Sequence, residues 1–402
     1  MADATDPTTA RSRRIALVCP YSLSRPGGVQ GQVLGLARAL GSRGHQVTAF
    51  APVDDRADVP TGVDVVATGR SVSLPANGSI APVTLSVPAV VRATRTIRSA
   101  GFDIVHVHEP FTPGLPYGLL AGRNRSPLVA TFHRSGRSPF YTALRPLTRR
   151  LARRYTVRCA VSEAARSTAF DALGGSYEVG FNGVEVDRFQ GVDPWPTDRP
   201  AVLFLGRHEE RKGLSVLLEA FERVGVSTKD GGAGPTAARP VLWIAGDGPR
   251  TDGLRRLHPA SADVHWLGVL SDQEKIRRLV AADLLCAPSL GGESFGMVLL
   301  EAMAARTVVV ASDIDGYREA SGGHAVLVPP GEARSLAEAM SDVLGGSAAP
   351  IPGDGAGLPS RLDDARSGWL DAAAEWAAHW SMDRLAAWYE EIYQSAMVEA
   401  WR

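Results

Sequence analysis

The sequence predicts an α/β protein made of two doubly wound, Rossmann-like parallel-sheet domains. Three observations carry this. The chain has 402 residues, more than the roughly 250–300 that one core organises. Short β-branched or leucine-rich runs alternate with amphipathic helical stretches, as they do where parallel strands are joined by helical crossovers. The series also starts twice, at Ile15-Ala-Leu-Val-Cys19 and again at Ala201-Val-Leu-Phe-Leu205.

The first series runs from Ile15–Cys19 through a Pro/Gly loop to a helix near Gln32–Arg43, and resumes as a strand at Gln46–Phe50. Further strands are expected at Ile104–Val107, Leu128–Phe132 and Arg158–Val161. The stretch Gln190–Pro200, with three prolines around Trp195, is the expected linker, because proline removes a donor and interrupts helix and strand alike. The second series continues with strands near Val241–Ala245, Asp263–Leu267, Leu284–Ala287 and Val308–Ala311, and a helix carrying Trp388, Tyr389, Ile392 and Tyr393 closes the chain. The expected division is a disordered tail over 1–14, a first domain over 15–192, a second over 193–380, and a terminal helix over 381–402. Ser227–Arg239 and Gly345–Ser360, rich in Gly, Ala and Pro without periodicity, read as mobile surface insertions.

Composition excludes some classes. With 43 basic and 43 acidic residues the formal net charge is zero, so no global field recruits nucleic acid. Cys19, Cys159 and Cys286 are far apart in apolar runs, the pattern of buried thiols in a reducing cytoplasm. The arginine-bearing first fourteen residues lack the apolar run of a signal peptide. No stretch approaches the roughly 18–20 apolar residues that span a bilayer.

The chemistry concentrates in a few segments. Gly292-Glu-Ser-Phe-Gly-Met-Val-Leu-Leu-Glu301 runs from a loop into a helix. Its glycines permit close backbone approach, and free N–H groups at a helix start suit a diphosphate. Glu293 is placed to accept hydrogen bonds from sugar hydroxyls and Glu301 to hold ribose; an ordinary glycine turn with two solvated glutamates would give the same residues. In Leu205-Gly-Arg-His-Glu-Glu-Arg-Lys-Gly213, Arg207 and Lys212 directly follow a strand, where open α/β sheets place ligand-binding loops. Cations there can neutralise charge growing on a departing diphosphate, whereas exposed turn charges would explain one of them. Pro26-Gly-Gly-Val-Gln30 offers backbone freedom between strand and helix but does not fit G-x-G-x-x-G. His133 ends a strand. His106 and His108 lack the partners of a zinc site, and both read as structural.

Assembled, these residues resemble glycosyltransferase family 4, and within it the actinobacterial phosphatidyl-myo-inositol mannosyltransferases. The resemblance rests on Cys19-Pro-Tyr-Ser22, Pro26-Gly-Gly-Val-Gln30, Asn77-Gly-Ser79, His106-Val-His-Glu-Pro110, Thr131-Phe-His133, Ala160-Val-Ser-Glu163, Asn182-Gly-Val184, Leu205-Gly-Arg207 and Gly291-Gly-Glu-Ser-Phe-Gly296. It implies a GT-B fold, two Rossmann-like domains facing each other across a cleft, with the terminal helix crossing back to the first. It implies a retaining hexosyltransferase in which Glu293 contacts donor sugar, Glu301 ribose, Arg207 and Lys212 the diphosphate, and Gly28 the β-phosphate region. His133 would lie by the reacting anomeric carbon, with Ser294, Phe295, Gly296, Met297 and Val298 forming the rest of the donor loop. Asp272 and Lys275 match guanine-side positions, which favours GDP-mannose. No tightly bound cofactor is implied, and Mg2+ dependence would need no protein metal site.

The acceptor side departs from the pattern. Tyr21, Gln30 and Asn77 match inositol-side positions, but Ser79-Ile-Ala-Pro-Val-Thr84 carries no arginine, so Arg134 and Arg137 are the expected phosphate contacts. The acceptor is then phosphatidylinositol or another lipid, a soluble inositol phosphate or a natural product; a UDP-sugar donor and a catalytically silent sugar-nucleotide-binding protein are the other readings. Arg306 stands where the family has glycine, and an altered helix end is expected there. Arg145, Arg149, Arg150, Arg153 and Arg154, interleaved with leucines, form a basic amphipathic segment suited to the anionic inner face of the plasma membrane. A solvated helix packed by its leucines fits the same pattern.

Overall fold

A computed structural model describes residues 12–55, 59, 62–76, 79–134, 136, 145–224, 239–293, 295–345 and 364–400. The chain forms two compact units. The first runs to Gly183 and is completed by Met382 onward; the second is Val184–Ser381.

In the first unit the apolar runs pair into a seven-stranded sheet of order β3-β2-β1-β6-β7-β8-β9. These strands are β1 (Arg14–Val18), β2 (Gln46–Ala51), β3 (Asp64–Ala67), β6 (Ile104–His108), β7 (Leu128–Phe132), β8 (Val157–Ala160) and β9 (Glu178–Val179). All neighbours are parallel. β1, β6 and β7 are buried along nearly their whole length, as central strands covered on both faces must be. A separate antiparallel hairpin joins β4 (Val72–Ala76) to β5 (Ser79–Val83). The helices are α1 (Gly28–Ser42), α2 (Val87–Ser99), α3 (Leu115–Leu120), α4 (Arg145–Ala152) and α5 (Glu163–Leu173). Ser162 caps the last of these by accepting the Ala165 N–H.

The second unit has a six-stranded parallel sheet of order β12-β11-β10-β13-β14-β15. The strands are β10 (Ala201–Leu205), β11 (Val241–Ala245), β12 (Val264–Gly268), β13 (Leu284–Ala287), β14 (Val308–Ser312) and β15 (Val326–Val328). Its helices are α6 (Leu214–Arg223), α7 (Thr251–Leu257), α8 (Asp272–Ala281), α9 (Met297–Ala304), α10 (Asp315–Ser321), α11 (Ala333–Gly345) and α12 (Asp364–Ala378). The last helix, α13 (Met382–Ala400), belongs to the first unit. Its Leu385, Ala386, Tyr389, Ile392, Tyr393 and Ala396 share one core with Val33, Leu36, Ala37 and Leu40 of α1. Glu390 adds an ion pair to Arg43 at 2.9 Å and a contact of 2.9 Å to His45.

Three expectations need correction. The chain leaves the first unit at Gly183, before the proline-rich stretch 190–200. That stretch instead packs on the second unit, where Trp195 donates its backbone N–H to the Arg277 carbonyl and meets the Arg278 guanidinium at 4.2 Å. The crossing point is held by Gln32, whose amide donates to the Gly183 carbonyl and accepts from its N–H, both at 2.8 Å. Arg14, assigned to the tail by the sequence, begins β1, and residues 1–11 lie outside the described residues. Strands β3, β4, β5, β9 and β15 were not anticipated, because runs of two to five residues leave little periodicity to read. At the end of α9, Arg306 adopts φ +61. The left-handed turn that usually takes glycine is thus made by an arginine, tied to Asp371 and at 3.3 Å to Ser367.

Candidate functional site

In each unit the strand order reverses at one place, between β1 and β6 in the first and between β10 and β13 in the second. Loops leaving the carboxyl ends of such strands frame a crevice, where open α/β sheets bind ligands. The predicted residues fall on these loops.

In the second unit, Arg207 and Lys212 follow β10 and Glu293 follows β13. Glu293 Oε1 receives Lys212 Nζ at 2.6 Å and Arg211 at 3.0 Å. Glu209, nearly buried, pairs with both Arg207 and Arg211 at 3.0 Å. Three cations and two carboxylates therefore stand together, a net positive cluster suited to phosphate. Behind it Ser289 Oγ donates to Glu293 at 3.3 Å and meets the Tyr317 hydroxyl at 2.9 Å. Burial pushes the Tyr317 phenol above its ordinary range. Gly296 supplies the N-cap of α9 with φ +75, which aims the first N–H groups of Met297 and Val298 out of the helix. The Phe295 ring packs edge-on against Trp380 at 4.9 Å, so the ring anchors the loop and only its backbone is left for ligand. Glu301, on α9, pairs with Lys275 at 2.9 Å, and Asp272 pairs with Arg188 at 3.3 Å. Burial pulls the Lys275 ammonium down, but the Glu301 carboxylate outweighs it and its pKa ends above the ordinary value. Ser294 lies outside the described residues.

In the first unit, Gly28 opens α1, and no heavy atom lies within 4 Å of where its Cβ would be. At Gly27 a Cβ would lie 2.4 Å from Gln30. The Gln30 amide is occupied, donating to the carbonyls of Ser22 and Arg25 at 3.3 and 3.2 Å, so it braces the loop before α1. Asp54, in the loop after β2, braces the same segment, accepting Ser22 Oγ at 2.9 Å and Ser71 Oγ at 2.8 Å. The Tyr21 hydroxyl is 3.4 Å from Thr112, and burial, with Glu109 adding to it, raises its pKa. His133 and Arg134 follow β7. Asn77 and Arg137 lie outside the described residues.

His106 and His108 line one face of β6 with rings stacked at 4.2 Å. His106 bonds the Tyr393 hydroxyl at 2.8 Å and Thr131 at 2.7 Å, and Thr131 bonds Tyr389 at 2.8 Å, so α13 is stitched to the sheet. His108 Nδ1 reaches His133 Nε2 at 2.8 Å. Burial lowers all three imidazoles, His106 to about 3, His133 to about 4, and His108 well below its ordinary value. Glu109, 5% exposed, accepts the His133 N–H at 2.8 Å, and burial pushes its carboxyl up to about 7.

Sequence reasoning missed Glu109, Glu209, Arg211, Ser289 and Tyr317. The first three lie inside the segments it singled out, but nothing in spacing separates a buried partner from a solvated charge. Exposed Leu85, Val87 and Val91, beside Arg92 and Arg95 on α2, were missed as well. The basic segment is only partly available: Arg145 and Arg149 donate to the Ala172 carbonyl at 3.3 and 3.2 Å, and Arg154 to that of Gly122 at 2.9 Å. These arginines cap the ends of α5 and α3. Arg150 and Arg153 are exposed.

Over most of its length the chain is similar to known glycosyltransferases. The family profile "Glycosyltransferase Family 4" matches residues 26–188, and "Glycosyl transferases group 1" matches 199–345. A phosphatidyl-myo-inositol mannosyltransferase of Mycobacterium tuberculosis is 38% identical over 342 residues, 82% of this chain and 87% of that one. A D-inositol 3-phosphate glycosyltransferase of Xylanimonas cellulosilytica is 29% identical over 90% of this chain and 95% of its own. The Anabaena HepE protein, solved with UDP and glucose, superposes with a TM-score of 0.67 at 19% identity, covering 95% of this chain and 100% of that one.

Proposed function

The chain belongs to glycosyltransferase family 4, with the GT-B fold, and from that premise we propose that it moves mannose from GDP-mannose onto phosphatidylinositol with retention of configuration. The observation that carries this reading is the cluster of Arg207, Arg211 and Lys212 with Glu209 and Glu293 at the switch point of the second sheet. Its cations suit a diphosphate leaving group, and Glu293 suits the hydroxyls of the attached sugar. On binding, Lys212 and Arg211 exchange Glu293 for phosphate oxygens, which leaves Glu293 to accept from sugar hydroxyls. Glu301 takes the ribose, and Asp272 with Lys275 the base side, a pair that favours guanine.

Transfer needs no protein nucleophile. The acceptor hydroxyl oxygen bonds to the anomeric carbon from the face the diphosphate leaves, the C–O bond to phosphate breaks, and the hydroxyl proton passes to a leaving phosphate oxygen. Positioned cations stabilise the charge that develops there. On the first unit, Gly28 leaves room beside the start of α1, while Tyr21 and Arg134 supply polar contacts for an inositol phosphate headgroup. Leu85, Val87 and Val91, with Arg92, Arg95, Arg150 and Arg153, would meet an anionic lipid surface at the inner face of the membrane.

A second reading has a specific support: the Xylanimonas relative's name implies a soluble inositol phosphate acceptor. GDP-mannose, GDP-glucose, UDP-glucose and UDP-N-acetylglucosamine should be assayed against phosphatidylinositol vesicles and inositol 3-phosphate, with products read by mass spectrometry. Mannosylated phosphatidylinositol from GDP-mannose is the expected product. Product from inositol phosphate alone would move the acceptor, and nucleotide binding without turnover of any donor would sink the enzymatic reading.

A further inference from the structure

Two residues at the end of β6, His108 and Glu109, reach the same residue of the neighbouring strand. Along a strand successive side chains point to opposite faces, so one of the two should face away. The alternation is broken because Glu109 has φ +47, left-handed for a non-glycine residue. Its own N–H still bonds the Thr131 carbonyl at 2.9 Å. Its carboxyl group therefore turns to the backbone beyond β7, accepting from the His133 N–H at 2.8 Å and from that of Arg134. His108 meanwhile meets the His133 ring at 2.8 Å. Buried left-handed residues of this kind are strained and persist only where the surroundings over-determine them.

We propose that His108 and Glu109 are positioning residues that lock His133 in the Nδ1-protonated tautomer, with its backbone and ring both held from β6. The inference rests on the glycosyl-transfer reading for its functional meaning, not for its geometry. A 2.8 Å contact between two neutral imidazoles needs one donor and one acceptor. His108 Nε2 is buried and has no hydrogen-bond partner among the described residues. A proton there would be an orphaned buried N–H, which folded proteins avoid more strongly than an unused lone pair. The proton of His108 is thus on Nδ1, and it donates to His133 Nε2. His133 must then carry its own proton on Nδ1. Asn182 Oδ1 is likewise buried without a hydrogen-bond partner among the described residues, and its side chain raises the His133 pKa against burial, so that oxygen suits the N–H. Neither nitrogen of His133 keeps a basic lone pair for substrate. The imidazole is a neutral, fixed wall beside the reacting carbon, and the acceptor proton is left to the phosphate.

The test uses the full chain labelled with 15N histidine at pH 7, the His133 ring being assigned by comparison with His133→Gln. The expected spectrum has His133 protonated at Nδ1 in the native protein and in Glu109→Gln, whose amide oxygen still accepts the N–H. In His108→Phe, which keeps the ring stack and loses the donor, the His133 proton should move wholly or partly to Nε2, and His108→Gln, whose amide can donate, should restore it. A native His133 protonated at Nε2, or a tautomer unmoved in His108→Phe, overturns the proposal. Under the transfer assay, His108→Phe and Glu109→Ala should lower kcat on the order of 100-fold with donor KM little changed, since displacement by about 1 Å costs that much, and Glu109→Gln and His108→Gln should recover most of it. A KM effect without a kcat effect would also overturn it. Should no donor turn over at all, the spectrum still decides the locking of His133 while the transfer reading fails separately.

Discussion

Gly296 links the donor loop to the core behind it, and Gly296→Ala is the most informative single change. The residue has φ +75, and a Cβ there would lie 2.9 Å from the Tyr317 ring and 3.0 Å from Ala320. Tyr317 is 1% exposed and cannot swing away. The left-handed conformation costs a non-glycine residue about 1–2 kcal/mol, and forcing a methyl into a packed site about 1–3 more. Gly292→Ala is the control: φ is +73, but the nearest atom to its Cβ is the flexible Arg211 Cδ at 3.7 Å. It should lose only the conformational part, about 1–2 kcal/mol. For a unit of about 200 residues each kcal/mol moves Tm by roughly 2–4 °C. The alanine at 296 should therefore melt roughly 2–12 °C below that at 292, the span set by the packing cost. Differential scanning calorimetry with circular dichroism reads this directly. Because Tyr317 holds Ser289, which holds Glu293, donor kcat/KM should fall with it. Equal Tm values for the two variants would refute the close-packing argument.

Stability should rise with pH and level off near neutrality. His106 and His133, buried and neutral, have folded values of about 3 and 4 against 6.5 unfolded, so their stabilisation is complete above 6.5 and is lost as pH falls toward those values. Each contributes a slope of up to about 1.4 kcal/mol per pH unit in that window. Glu109 acts in the opposite sense: raised to about 7 from 4.5, its contribution is present below 4.5 and lost as pH rises through 7. Urea midpoints between pH 4 and 9 should rise toward pH 6.5 and then level off, the Glu109 loss offsetting part of the rise, and His106→Gln should flatten the acid limb; an unchanged limb would contradict the burial argument. On the surface, Arg150→Glu with Arg153→Glu should weaken sedimentation with anionic vesicles at low salt without moving Tm. Arg154→Ala should lower stability by about 1 kcal/mol, as loss of a helix cap does, and leave vesicle binding nearly intact; the reverse pattern would show that Arg154 faces lipid and Arg150 and Arg153 do not.

The sequence by itself determined the two-sheet α/β architecture, because buried parallel strands demand continuous apolar runs such as Leu128–Phe132 and Val308–Ala311, and these survive in any order of reading. It also determined that Arg207, Lys212, Glu293 and His133 sit at strand ends, since a strand followed by a glycine loop places its next residues at a carboxyl edge. The tertiary structure decided which charges act together. Glu209 and Arg211 read as solvated turn residues until β10 and β13 lie side by side. Glu109 reads as one more acid after a strand until its left-handed backbone turns it to His133. Arg145, Arg149 and Arg154 read as one basic face until the carbonyl ends of α3 and α5 claim them. The unit boundary at Gly183, and the return of α13 to α1, likewise depend on contacts between residues far apart in the chain. Periodicity records how a residue stands toward its own element; partners across elements, which set charge, tautomer and burial, exist only once the chain has folded.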